Sequence, residues 1–143
     1  WVTAALEQMA QPQAAASRIL APEAHAMTDV TGFGLAGHLL GICEASGVSA
    51  EIDFAAVPLM EGAAQLADSG IRSSLFPENA ALLPEWRTSG AQDLLFDPQT
   101  AGGLLAALPQ DKAEGVLQQL KEAGYPAALI GKITQGAGQI VLT

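Results

Sequence analysis

The chain has 143 residues, of which 50% are hydrophobic, enough to form one domain with a sizeable buried core. Fifteen acidic and six basic residues give a formal net charge of −9, which repels nucleic acids and anionic lipid headgroups and argues against both as partners. No apolar run approaches the ~20 residues of a membrane-spanning helix, and the single cysteine, Cys43, cannot form an internal disulfide. A cytoplasmic location is therefore expected.

Helical spacing of apolar residues predicts one helix and then a second, short helix within residues 1–20. The break falls near Gln11 and Pro12, because proline cannot donate an interior backbone hydrogen bond. The next patterns predict, in chain order, a strand over residues 24–30, a glycine turn, a helix that ends at Gly47, a strand over residues 48–54, and a helix over residues 59–67 that stops at Gly70. Residues 71–90 are predicted to form a long loop with room for a short helical turn.

The second half of the chain predicts strands over residues 94–96, 104–108, 128–133 and 139–142, with an amphipathic helix over residues 111–123. Asp111 resembles an N-cap of that helix and Gly124 a C-cap. The last two strands are close enough in sequence for a hairpin, so we expect an α+β fold in which helices cover a mixed sheet. Because the chain begins at Trp1 and enters a helical pattern at once, we also expect a longer protein upstream of it.

The richest chemistry lies at the first glycine turn. The carboxylate of Asp29 and the hydroxyls of Thr28 and Thr31 come just before Gly32 and Gly34, which open a helix. Magnesium prefers one or two carboxylates together with substrate phosphates and waters, and glycines let the backbone approach phosphates closely. The alternative is that Asp29 or Thr31 only caps the helix and the glycines only make the turn. The lysine of the P-loop is absent here, so this is not a P-loop.

A second polar turn follows the long loop, between two predicted strands. Asp97 and Pro98 are good turn starters, and Gly102 and Gly103 supply flexible dihedral angles. Such a turn can face a ligand or only reverse the chain.

Few other residues point to chemistry. His25 and His38 lack a second ligand at a useful spacing, and Cys43 lies on an apolar helix where a buried side chain is far commoner than a nucleophile. The long loop holds three polar residues that could touch a ligand and two aromatic residues expected to pack, namely Ser73, Ser74 and Asn79, and Phe76 and Trp86.

The two turns together resemble the selenophosphate synthetase (selenide, water dikinase) family, within the wider group that includes aminoimidazole ribonucleotide synthetase. The first motif (residues 28–35) reads Thr-Asp-Val-Thr-Gly-Phe-Gly-Leu, and the second motif (residues 97–105) reads Asp-Pro-Gln-Thr-Ala-Gly-Gly-Leu-Leu. The resemblance spans nearly the whole chain. It implies that residues 1–143 form a single C-terminal domain, a three-layer arrangement of helices around a mixed sheet, without the N-terminal ATP-binding domain of the family.

The resemblance also implies a reaction in which the full enzyme turns ATP, selenide and water into selenophosphate, AMP and phosphate. Magnesium is the implied cofactor, with Asp29 as a metal ligand, and the enzyme is expected to be a homodimer formed chiefly through the absent domain. The positions that match phosphate-binding motifs are Thr28, Thr31, Gly32, Gly34, Asp97, Thr100, Gly102 and Gly103. The family's reactive cysteine or selenocysteine and its partner lysine belong to the N-terminal half, so neither Cys43 nor Lys112 inherits a catalytic role.

Two positions depart from the family pattern. Ala101 stands where the family usually has serine, and Gln11 and Pro12 interrupt a region usually better suited to a continuous helix. Two other functions stay open: another ATP-dependent synthetase of the same superfamily, and a non-catalytic structural or dimer-stabilising module.

Overall fold

The computed structural model describes residues 1–143 and contains α-helices, β-strands and two short 3₁₀ helices. The α-helices are α1 (Val2–Ala10), α2 (Ala14–Leu20), α3 (Gly34–Ser46), α4 (Ala63–Asp68), α5 (Phe76–Ala80) and α6 (Gln110–Glu122). The strands are β1 (Ala26–Asp29), β2 (Val48–Ile52), β3 (Leu104–Ala107), β4 (Gly131–Gln135) and β5 (Ile140–Leu142), and the 3₁₀ helices are Phe54–Ala56 and Gly90–Phe96. The predicted break between the first two helices, the short helix in the long loop and the α+β class are confirmed.

The strands form two hydrogen-bonded sheets. β1 pairs with β3 in antiparallel orientation, with Thr28 opposite Leu105. β2 is the central strand of the other sheet and pairs antiparallel with β4 and parallel with β5. The mixed sheet is therefore confirmed, although β1 and β3 form a ladder of their own.

The predicted hairpin between the last two strands is wrong, because β4 and β5 lie on opposite sides of β2. Residues 136–139 cross the start of β2, where the Gly138 N–H donates to the Val48 carbonyl at 2.9 Å and the Gln139 N–H donates to Ser49 Oγ at 3.1 Å. A buried strand must satisfy the backbone groups of both its edges, and β2 does so with one strand on each side. Closeness in sequence could not reveal that a third strand lies between the two.

The main core lies where α3 packs against β2. Its fully buried members are Ala36, Leu39, Cys43, Ala50, Ile52, Leu83, Leu95, Phe96 and Ile140. A smaller cluster joins α2 to α6 through Ala16, Leu20, Val116 and Leu120. Cys43 is a packing residue, as predicted, and burial raises the pKa of its thiol, with a further contribution from the charge of Glu44.

The aromatic residues of the long loop pack onto this core, as predicted. The rings of Phe76 and Trp86 meet the Phe96 ring edge-on, with centroids 6.2 and 5.7 Å away. The indole Nε1–H of Trp86 also donates to the Ile140 carbonyl at 3.0 Å, which ties the loop to β5. The long loop is therefore anchored at its centre and at its end.

The predicted strand over residues 94–96 is wrong, because these residues end the 3₁₀ helix Gly90–Phe96. Asp93, Leu95 and Phe96 are all buried, a pattern that the two-residue alternation of a strand facing one core does not give. Arg72 and Thr88 bind the Asp93 carboxylate and hold the turn in place. A short apolar run could not distinguish these two conformations.

Helix ends differ from the prediction at three places. α4 begins at Ala63, after Gly62 in a left-handed conformation, instead of at residue 59. α6 begins at Gln110, so Asp111 lies in its first turn and makes no cap. Gly124 lies one residue after the C-cap and adopts a φ of 85°, the conformation that ends a helix most readily at glycine. None of the six α-helices combines the length and the apolar composition that a membrane span requires.

The replacement Ile52→Ala tests the core. Ile52 is 1% exposed on the central strand, so truncation of its side chain leaves a cavity. We expect the free energy of unfolding to fall by about 2–5 kcal/mol. Val141→Ala on β5 is the control, because Val141 is 52% exposed and its loss leaves no cavity. Urea unfolding followed by circular dichroism measures both, and equal effects of the two replacements would contradict the position of the core.

Candidate functional site

The two glycine motifs lie side by side because β1 and β3 pair. Beyond the end of β1, the Val30 N–H donates to the Gly103 carbonyl at 3.0 Å, and the Gly102 N–H donates to the Val30 carbonyl at 3.1 Å. A Cβ atom on Gly102 would lie 2.6 Å from the Val30 carbonyl oxygen, so this approach requires glycine. The second motif is therefore hydrogen-bonded to the first. It does more than reverse the chain, which was one of the two roles considered for it from the sequence.

Two further contacts join the motifs. The Gln99 N–H donates to the Thr31 carbonyl at 3.0 Å. Gly34, the first residue of α3, has a φ of 69°, and a Cβ atom there would lie 2.8 Å from the Leu95 carbonyl oxygen and 3.0 Å from that of Asp97. The start of α3 thus rests on the backbone that leads into the second motif.

The start of α3 carries no side-chain cap, and Phe33 is the residue that precedes it. The alternative in which Asp29 or Thr31 caps this helix is therefore wrong. The positive end of the helix dipole and the backbone of the turn remain without a competing side-chain oxygen, which suits an anion. Gly32 is exposed, and a Cβ atom on it would meet nothing within 4 Å.

Thr31 does not cap the helix and is hydrogen-bonded to a histidine. Its N–H donates to Nε2 of His38 at 3.0 Å, and its hydroxyl lies 3.2 Å from the same nitrogen. Nε2 of His38 is thus the acceptor that ties α3 to the residue before the glycine turn. No role was predicted for His38, because the helical periodicity around it carries no sign of this contact.

Asn79 supplies another tie, from the long loop. Its Nδ2 donates to the Gly32 carbonyl and to the Phe96 carbonyl, both at 2.9 Å, so one amide joins the first motif to the residue just before the second. Ser73, by contrast, accepts from the Leu75 N–H at 3.2 Å and shapes a local turn. Ser74 is exposed.

Asp29 ends β1 with its side chain exposed, while Thr28 alternates to the other face, half-buried, and its hydroxyl donates to the Asp29 carbonyl at 3.1 Å. The Asp29 carboxylate enters no ion pair. No three His, Cys, Asp or Glu side chains converge well enough to hold a metal ion. The donor chemistry fits magnesium as one carboxylate ligand, with further ligands from phosphates, waters or another domain.

The second motif places its polar residues at different depths. Asp97 is half-buried, Gln99 donates to its Oδ2 at 3.3 Å, and Thr100 is exposed. Burial raises the pKa of the Asp97 carboxyl, while the positive charge of Arg72 and the Gln99 hydrogen bond oppose the rise. Gly103 has a φ of 82° at the turn into β3.

The arrangement combines an exposed carboxylate, an open glycine backbone and an uncapped helix start within one hydrogen-bonded unit. With a chain charge of −9, an anionic ligand is favoured by a cation beside it, and an exposed carboxylate such as that of Asp29 has the chemistry of a cation ligand. The chemistry of these residues therefore suits a metal-bound phosphate group.

Gly34→Ala tests the junction of the motifs. The positive φ and the overlap with backbone oxygens should lower the free energy of unfolding by about 2 kcal/mol or more. Gly32→Ala is the matched control, because it meets no neighbour, and we expect its stability to stay within about 1 kcal/mol of the parent. Urea unfolding compares the two, and equal stabilities would contradict the close approach at Gly34.

Asp97→Asn tests the buried carboxyl. Because its folded pKa is raised above that of the unfolded chain, Asp97 favours folding at low pH, and this contribution is lost as pH rises through the folded pKa. The replacement should therefore raise the melting temperature at neutral pH, and the gain should shrink below about pH 4. Glu114→Gln on the exposed side of α6 is the control. A rise in melting temperature that becomes larger at acidic pH would contradict a raised pKa of Asp97.

Comparison with known proteins shows which family the chain belongs to. Residues 2–142 match the family model described as AIR synthase related protein, C-terminal domain. Selenide, water dikinase of Rhizobium meliloti (strain 1021) is 38% identical over 130 residues, which cover 83% of this chain and 36% of that protein. Selenide, water dikinase of Pseudomonas straminea is 41% identical over 123 residues, 81% of this chain and 34% of that protein. The chain spans about a third of the length of these relatives.

Solved structures show the same fold. Hydrogenase Maturation Protein HypE in complex with ATP superposes with a TM-score of 0.56 at 26% identity, over 84% of this chain and 32% of that one. Thiamine-monophosphate kinase from Stenotrophomonas maltophilia K279a gives a TM-score of 0.60 at 21% identity, over 85% and 32%, which bears on the fold alone. The expected three-layer α+β class with a mixed sheet is the fold of these proteins. The chain belongs to the AIR synthase related family, as a C-terminal domain of that family.

Proposed function

We propose that this chain is the C-terminal domain of a selenide, water dikinase, an ATP-dependent phosphotransferase that turns ATP, selenide and water into selenophosphate, AMP and phosphate. The observation that carries the proposal is the hydrogen-bonded union of the two motifs, in a chain 38% identical to one such enzyme and 41% identical to another. Because the chain spans about a third of those relatives, the isolated domain is expected to be inactive.

Within the complete enzyme, Asp29 holds magnesium together with groups from outside this chain. The bound ion neutralises charge on the triphosphate. Asp29 suits this role because its carboxylate is exposed and enters no ion pair. The ATP phosphates are bound by the other positions that match the two motifs, namely Thr28, Thr31, Gly32, Gly34, Asp97, Thr100, Gly102 and Gly103. These residues act by positioning and electrostatics, and the chain contributes no catalytic nucleophile.

The remaining partners follow from the same proposal. ATP and selenide are bound together with the N-terminal domain, and the complete enzyme is a homodimer in the cytoplasm. The net charge of −9 argues against nucleic acid and membrane surfaces as partners.

A second candidate is another ATP-dependent member of the family. The likeness to HypE in complex with ATP favours it, because that protein shares the fold at 26% identity and its name refers to hydrogenase maturation. Both candidates consume ATP, so the product separates them. A non-catalytic module would consume none.

Phosphorus NMR of the full-length protein, incubated with magnesium, ATP and selenide, tests the proposal. We expect selenophosphate to appear together with AMP and phosphate. ATP consumption without selenophosphate would favour the second candidate, and a folded protein that leaves ATP intact would favour the non-catalytic module.

Asp29→Asn in the full-length protein tests the metal ligand. Loss of the negative charge should lower ATP turnover about 100-fold and raise the magnesium concentration needed for half-maximal activity. Asp111→Asn is the control, because Asp111 is exposed in the first turn of α6 and belongs to neither motif. Parental turnover and magnesium dependence in the Asp29→Asn enzyme would refute the assignment.

A further inference from the structure

The long loop of residues 71–90 contributes a buried amide whose role goes beyond packing. Asn79 is the only asparagine of the chain and is 5% exposed. Its two Nδ2 hydrogens are both used, for the Gly32 carbonyl and the Phe96 carbonyl at 2.9 Å each. Carbonyl oxygens can only accept, so the amide orientation is determined by its partners.

The contact at Gly32 determines the direction of a peptide group. In a trans peptide the carbonyl and the following N–H point in opposite directions. Asn79 holds the Gly32 carbonyl toward the protein interior, and the N–H of the same peptide group, on Phe33, therefore points away from it. Phe33 is 60% exposed, and its N–H donates to no backbone carbonyl or side chain.

Other contacts do not replace this one. The hydrogen bonds of Val30 and Thr31 with the second motif hold the residues before the turn. At Gly32 itself a Cβ atom would meet nothing within 4 Å, so no neighbouring group packs against Gly32 on that side. The Gly34 N–H closes the turn by donating to the Thr31 carbonyl at 3.1 Å, and the Asn79 amide adds the side-chain hydrogen bond that holds this peptide plane.

Asn79 is itself held firmly. Its backbone N–H donates to the Leu75 carbonyl at 3.1 Å, and the Phe76 ring packs edge-on against Phe96. Before α5, the Arg72 guanidinium binds the Asp93 carboxylate through Nε at 2.8 Å and lies 5.7 Å from the centroid of the Phe76 ring. These contacts hold the loop, and with it the Asn79 amide, in place.

We propose that Asn79 is a positioning residue of the ATP phosphate site, which aims the Phe33 N–H outward as a hydrogen-bond donor to a phosphate oxygen. This inference rests on the proposed function only for the presence of an ATP phosphate group at the first motif. It makes the long loop a third component of the site, beside the two glycine motifs. The uncapped start of α3 lies one residue further along the chain.

The test uses the full-length protein and the isosteric replacement Asn79→Asp. A carboxylate cannot donate, and it faces two carbonyl oxygens, so the Gly32 peptide should rotate. We expect the KM for ATP to rise about tenfold, while the KM for selenide stays at the parental value. Glu78→Gln is the matched control, because Glu78 is the exposed neighbour on the same helix. A role in stability alone would lower the melting temperature and leave the KM of the folded enzyme unchanged.

A second variant and a direct measurement cover failure to fold. Asn79→Ala removes the donor without adding charge and should raise the KM for ATP in the same direction. In the unaltered protein, selective ¹⁵N-phenylalanine labelling reports the Phe33 N–H, which the Phe33→Leu variant identifies by the loss of its signal. Magnesium with a non-hydrolysable ATP analogue should shift this signal. Folded Asn79 variants with parental KM, or an unshifted Phe33 signal in an analogue-saturated protein, overturn the inference.

The outcomes separate this inference from the proposed function. A parent protein that forms selenophosphate while its Asn79 variants keep the parental KM retains the function and refutes the role of Asn79. A parent that binds ATP but forms no selenophosphate refutes the function, and the Phe33 signal and the ATP affinity still decide the inference. A parent that binds no ATP overturns both.

Discussion

The antiparallel pairing of β1 with β3 is the interaction on which the candidate site depends. It brings together two motifs that lie far apart in the chain, and the hydrogen bonds between Val30 and the glycines Gly102 and Gly103 extend the pairing past the strand ends. Glycine is needed at Gly102 because any side chain would overlap the Val30 carbonyl. Backbone contacts of this kind leave the side chains of Asp29 and Thr100 exposed and available to a ligand.

Polar side chains outside the two motifs also hydrogen-bond to this junction. His38, a neighbour of the turn along α3, accepts from Thr31, and Asn79 donates to carbonyls on both sides of the junction. Arg72 and Asp93 secure the loop that carries Asn79. Buried polar groups are favourable only when they are fully hydrogen-bonded, and a satisfied network of this kind selects one geometry. Glycine adopts many backbone conformations, so a glycine turn that binds phosphate must be held in one conformation by neighbouring groups.

The acidic charge of the chain limits how this site can work. A domain of charge −9 disfavours a free triphosphate, so a cation must accompany the ligand. Asp29 is one carboxylate without an ion-pair partner, and no cluster of three potential metal ligands stands near it. The chain also covers only about a third of its relatives. Under the proposed function, the further metal ligands come from outside this chain.

The sequence by itself determined the order of most helices and strands, the burial of Cys43 and the two motifs, because periodicity, glycine and proline act locally. It failed at residues 94–96, where a short apolar run suits a strand or a 3₁₀ helix equally well. It also failed for β4 and β5, because which strand lies between them is a property of the whole sheet. Only the tertiary structure decided that His38 and Asn79 hold the glycine turn. Both side chains bind main-chain atoms, whose positions depend on the fold and leave no pattern in the sequence.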